Sequence, residues 1–128
     1  MIMPTSAEQV VAEEVPMLED VLANIGLHRP GQQLDLRAIA SPLEAWLQQQ
    51  SITVEDRPFV ASLVAAFVSQ YLIAHGDAER LIAGNRIILR LPIQAGVSRE
   101  IEPYALGLAA TQGQASFLWL LEAYAPAK

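Results

Sequence analysis

Apolar residues recur along the chain at helical spacing in some stretches and in alternation in one other. Leu18, Val21, Leu22 and Ile25 stand at i, i+3, i+4 and i+7, which is one face of a helix. Ser6 followed by Gln9 reads as a capping box that starts this segment. Val10, Val11 and Val15 add apolar surface, and Pro16 predicts a kink or a restart. Gly26 is placed to stop the helix. His28-Arg29-Pro30-Gly31 reads as a turn and Leu34–Leu36 as a short extended piece. Ser41-Pro42-Leu43-Glu44 predicts a second helix, with Ser41 as cap and Pro42 in the first turn. It carries Leu43, Trp46 and Leu47 inward and ends near Gln50.

The longest helix is expected over Asp56–His75, with Gly76 ending it. Phe59, Leu63 and Phe67 line one side, and Val60, Val64, Val68, Tyr71 and Leu72 widen the stripe until it nearly encircles the helix. Such a helix is buried on most sides. Its apolar run, Phe59 to Ala74, contains Ser62, Ser69 and Gln70 and falls short of the roughly 20 residues of a membrane span. Alternation then takes over. Leu81–Ala83 and Arg86–Leu91 flank Gly84-Asn85, a two-residue hairpin turn. Ile87, Leu89 and Leu91 face the core, while Arg86, Ile88 and Arg90 face outward. Pro92 is expected to limit the strand, before a loop at Gln94-Ala95-Gly96. Pro103 opens a helix to about Thr111, Gly113 breaks it, and a last helix over about Gln114–Tyr124 packs Phe117, Leu118 and Leu121 before Pro126. A hairpin alone is marginal, so Leu34–Leu36 or Ile93–Val97 is expected to supply a third strand. The expectation is one α+β domain over 1–128. It is helix-dominated, with a small antiparallel hairpin or three-stranded sheet packed on the long central helix. Residues 1–28 form an acidic helical segment that docks on the domain or reaches a partner.

The chain has 128 residues, 52% hydrophobic and 17% charged, which is enough apolar material for a real core. A net charge of -6 argues against nucleic acid as a partner. The absence of cysteine excludes disulfides, thiolate catalysis and Cys-ligated metal. The N-terminal residues carry neither a basic nor an apolar leader pattern, so a secretory signal is not expected, and with the short run at Phe59–Ala74 no membrane association is expected either. Charge is also segregated. Residues 1–28 hold Glu8, Glu13, Glu14, Glu19 and Asp20 and no Lys or Arg, whereas Arg80, Arg86, Arg90 and Arg99 follow one another with no acid between. These are two solvated faces that touch within the chain, or a partner surface.

Candidate chemistry is sparse. His75-Gly76-Asp77-Ala78-Glu79 clusters metal-ligand types, but without a second histidine it reads as a helix end with solvated acids, and no metal or cofactor is assigned. His28 lies in a turn, and no nucleophile motif accompanies either histidine. Glu100 and Glu102, two apart on an extended segment, share a face, yet the simpler reading is a solvated loop. Phosphate-binding glycine patterns are missing. Trp46 and Trp119 read as core anchors.

The element order of the second half covers Ala74-His75-Gly76-Asp77-Ala78-Glu79, the strand pair to Leu91, Glu102-Pro103 with its helix, and Ser116-Phe117-Leu118. Over roughly residues 55–125 it resembles small bacterial α+β domains of unknown function. Some of these travel with toxin–immunity or secretion loci. The resemblance implies a bacterial cytoplasmic protein and carries over no functional residue. Two function classes follow. One is a non-enzymatic protein–protein interaction module, self-associating as a homodimer or acting as an adaptor or immunity-type protein, with Arg86, Ile88 and Arg90 at its interface. The other is a small-molecule-binding protein, or a small carboxylate-based enzyme, with a pocket between the central helix and the sheet lined by Tyr71, His75 and Tyr104.

Overall fold

A computed structural model describes residues 7–84, 86–94, 96–112 and 117–124. The sequence readings at Ser6, Asn85, Ala95, Gly113, Gln114, Ser116 and Pro126 lie outside these residues. Among them the chain forms α1 (Ala7–Asn24), α2 (Leu36–Gln48), α3 (Arg57–His75), β1 (Glu79–Ala83), β2 (Arg86–Gln94), β3 (Val97–Ile101), α4 (Pro103–Thr111) and α5 (Phe117–Tyr124). This is a helix-dominated α+β fold with one antiparallel sheet in the order β1-β2-β3.

The buried face of α1 is Glu14, Leu18 and Leu22, one residue per turn. Its apolar positions Val10 and Val15 remain exposed. The helix passes through Pro16 unbroken, because that residue sits on the solvent side, where water can serve the carbonyl that Pro16 leaves without a donor. Gly26 ends the segment as expected. At φ 83° it closes a Schellman motif, in which the Leu27 N–H donates to the Leu22 carbonyl and the Gly26 N–H to the Ala23 carbonyl.

Helix α2 starts earlier than Ser41. Asp35 is its cap, and its side chain accepts a hydrogen bond from the Ala38 N–H at 3.3 Å. Leu36 is therefore helical and is not a third strand. The apolar stripe Leu36, Ile39, Ala40, Leu43 and Leu47 is buried as a unit. Burying that stripe outweighs the one hydrogen bond forgone at the exposed Pro42.

The third strand is Val97–Ile101, and the second candidate, Ile93–Val97, meets it only at Val97, because Ile93 and Gln94 extend β2. β2 continues past Pro92 to Gln94, with the β2–β3 register slipping between Pro92 and Gln94. A proline inside a strand is accommodated at such an irregularity. Leu89 and Leu91 are buried, and Ile87 and Ile88 are half-buried.

Helix α3 is long and apolar enough to cross a membrane by length and composition, yet just over half of that stretch is buried inside this domain. Phe67 lies at the centre of the core, 5.9 Å from the Phe117 ring in an edge-on contact. The left-handed residue after α3 is Asp77 (φ 55°), not Gly76. Trp46 packs partly buried against the core, but Trp119 is 67% exposed. The buried stripe of α5 is Phe117, Leu120 and Leu121, and Trp119 stands two residues, about 200°, from Phe117.

α4 packs most extensively against α3. Gly107 makes this approach possible, since a Cβ there would collide with the Ala61 carbonyl group and lie 3.0 Å from Ala61 Cα. Backbone cannot yield as a flexible side chain does. Gly107→Ala is therefore expected to lower unfolding stability by about 1–3 kcal/mol. Urea denaturation followed by circular dichroism measures this, and an unchanged midpoint would contradict the close packing.

Candidate functional site

Four elements enclose a groove of about 670 Å³. Its floor is one face of α3, where Ser62, Ala65, Ala66 and Ser69 recur at i, i+3, i+4 and i+7. Small side chains there leave volume that leucines would fill. One wall is α1, through Val10, Glu13, Glu14 and Met17. The start of β2 contributes Arg86 and Ile87. The first turns of α4, with the residue before it, contribute Glu102, Pro103, Tyr104, Ala105 and Leu108. Most of the lining is apolar.

A buried polar lock holds α1 against α3 and β1. Glu14 continues the Leu18 and Leu22 stripe and is itself buried. Arg80 pairs in register with Leu89, so it stands on the core face of the sheet. Its guanidinium forms a salt bridge to Glu14 Oε2, and the Gln70 side-chain amide donates to the same oxygen at 3.1 Å. Arg80 Nε is buried without a hydrogen-bond partner among the described residues. Burial pushes the Glu14 carboxyl above the usual glutamate range, against the opposing pull of Arg80 and Gln70.

The segregated charges of the sequence thus meet inside one chain, at Glu14 and Arg80. Two further ion pairs, to acids outside residues 1–28, lie on the outer sheet face. Arg90 lies in register with Glu100 and donates to it at 3.3 Å, and Arg86 pairs with Glu102. Glu100 and Glu102 are therefore ion-paired carboxylates. These exposed pairs stabilise the fold by at most about 1 kcal/mol each. Ile88 lies half-buried between the two arginines.

The three proposed pocket residues do not converge. Tyr104 lines the groove at 44% exposure. Tyr71 lies nine residues from Ser62, half a helical circumference away, on the opposite side of α3. There its hydroxyl accepts from Arg37 at 3.2 Å, and its ring meets His75 edge-on at 5.2 Å. The Arg37 guanidinium also lies 5.4 Å from the Tyr71 ring centre. Glu14, Arg80 and the Ser/Ala stripe were not singled out from sequence. The signal was present: Glu14 precedes Leu18 and Leu22 by whole turns, and four small residues share one face of an otherwise bulky helix.

No family model, curated protein or solved structure matches the chain.

The lock yields two tests. Arg80→Met leaves a buried carboxylate uncompensated and is expected to destabilise by about 3 kcal/mol, whereas Glu14→Leu combined with Arg80→Met recovers most of that loss. Chemical denaturation of the single and double variants reads this directly. The raised Glu14 pKa fixes a pH trend. Its stabilising contribution is complete below the ordinary glutamate value and is lost as pH rises through the raised one. Unfolding free energies relative to Glu14→Gln should therefore fall with rising pH in that window. A flat difference contradicts the desolvation.

Proposed function

We propose that this chain is a non-enzymatic binding protein that takes one small, largely apolar molecule in the groove over α3. The carrying observation is the groove itself: about 670 Å³ with mostly apolar walls and a floor of small side chains. That volume falls in the range of about 300–1,000 Å³ typical of small-molecule sites. Its charged groups support binding rather than turnover. Glu14 is held by Arg80 and Gln70, and Glu102 is engaged by Arg86. Tyr104 and the two serines supply a few polar contacts beside the apolar surface.

Titration with the neutral fluorophore N-phenyl-1-naphthylamine tests this reading. Saturable enhancement at one site per chain is expected. Ser62 is exposed at the groove, so Ser62→Trp fills the space without disturbing the core, and it should weaken binding at least about ten-fold. Thermal melting confirms that the variant folds. Unsaturable binding, or an unaffected Ser62→Trp, rejects the site.

Self-association is a second reading, favoured by the sheet. β1 and β3 are both edge strands, and Ile82 and Val97 on them are exposed. It requires a species of twice 13.9 kDa in light scattering, lost on Ile82→Lys or Val97→Lys. Arg86 and Arg90 contribute less to such an interface while paired with Glu102 and Glu100.

A further inference from the structure

The charged fringe of the groove is lopsided. Among the described residues four charged side chains line it: Glu13, Glu14, Glu102 and Arg86. Two of the carboxylates are matched within the chain, Glu14 by Arg80 and Glu102 by Arg86. Glu13 is different. It accepts a hydrogen bond from the neutral Gln9 amide at 3.3 Å and has no ion pair among the described residues. An exposed, uncompensated carboxylate thus borders an apolar cavity. Tyr104, on α4, adds a half-exposed aromatic ring to the same lining. A carboxylate and an aromatic face both favour a cation. An anionic headgroup finds the opposite, because Arg86 is already held by Glu102 and the chain carries a net charge of -6.

Resting on the groove reading above, we infer that the ligand is a hydrophobic cation. Its apolar body lies over the Ser/Ala floor of α3, and its ammonium or guanidinium group lies at the rim beside Glu13. The rim carboxylate selects by charge, and the floor selects by shape.

Three compounds with one apolar body separate these two contributions. Decylammonium, decanol and decanoate are each used to displace N-phenyl-1-naphthylamine from the full chain at low ionic strength. Displacement is expected in the order decylammonium, decanol, decanoate. Decylammonium should bind roughly 3- to 10-fold tighter than decanol, the size of one exposed ion pair with an added aromatic contact. Glu13→Gln should remove most of that ratio, and added salt should compress it. Glu13 is exposed, so the variant is expected to melt like the parent. Equal displacement by all three, tighter decanoate, no displacement by any of them, or an unchanged ratio in Glu13→Gln overturns the charge preference while leaving the groove as a binding site. Failure of the fluorophore itself to bind overturns the groove reading and the inference together.

Discussion

A helix that is apolar round nearly its whole circumference must be covered on every side, and this requirement organises the chain. α3 buries Val60, Leu63, Val64, Phe67, Val68 and Leu72, which between them point in most directions. α1, α2, α4 and α5 all pack on it. Each brings a narrow stripe: Leu18 and Leu22 from α1, Leu43 and Leu47 from α2, Phe117 and Leu121 from α5. The closest partner, α4, brings a glycine and comes near backbone contact at Ala61. The sheet adds Leu89 and Leu91 on one face and leaves the other to solvent and ion pairs. The groove is the sector this arrangement leaves open. It follows the one stripe of α3 whose side chains are too small to demand a cover of their own.

The polar lock at its wall is weak evidence of stability and better evidence of placement. Burying Glu14 and Arg80 carries a desolvation penalty that their attraction offsets only in part, as the upward shift of the Glu14 carboxyl indicates. A leucine at position 14 would complete the α1 stripe more favourably only if Arg80 were replaced by an apolar residue as well. What the ion pair supplies is register. It ties one turn of α1 to one residue of β1, with Gln70 of α3 donating to the same Glu14 oxygen, so α1 cannot slide along α3 without stranding two charges. The wall of the groove is thereby fixed relative to its floor.

Most of the fold was legible because it follows period. The central helix, the hairpin, the inward Leu89 and Leu91, and the Gly26 stop all come from spacing and from the backbone freedom of glycine. Local end signals misled where a longer pattern competed. Ser41-Pro42 resembles a helix start, but the stripe from Leu36 to Leu47 and the Asp35 cap prevailed. The site was less legible. Of the three pocket candidates Tyr104 lines the groove, whereas helical phase places Tyr71 on the far side of α3 from Ser62. Glu14 was counted as one acid among five, when its alignment with Leu18 and Leu22 already implied burial. A cavity is hard to read from sequence because it depends on where side chains are absent.

That absence links the groove to stability. The N-terminal part of α1 leaves Val10 exposed, and the helix is anchored chiefly by Leu18, Leu22 and the Glu14 lock further along. A ligand seated against Val10 and Met17 on α1, Ala65 and Ala66 on α3 and Leu108 on α4 would cover apolar surface that the chain leaves unburied. It would bind only while α1 is docked, because an undocked α1 dissolves the wall. Occupancy and docking of α1 are then one linked equilibrium, and ligand binding stabilises the folded state in proportion to the logarithm of its concentration above the dissociation constant. A chain that filled this sector with leucines would gain that stability permanently and lose the site.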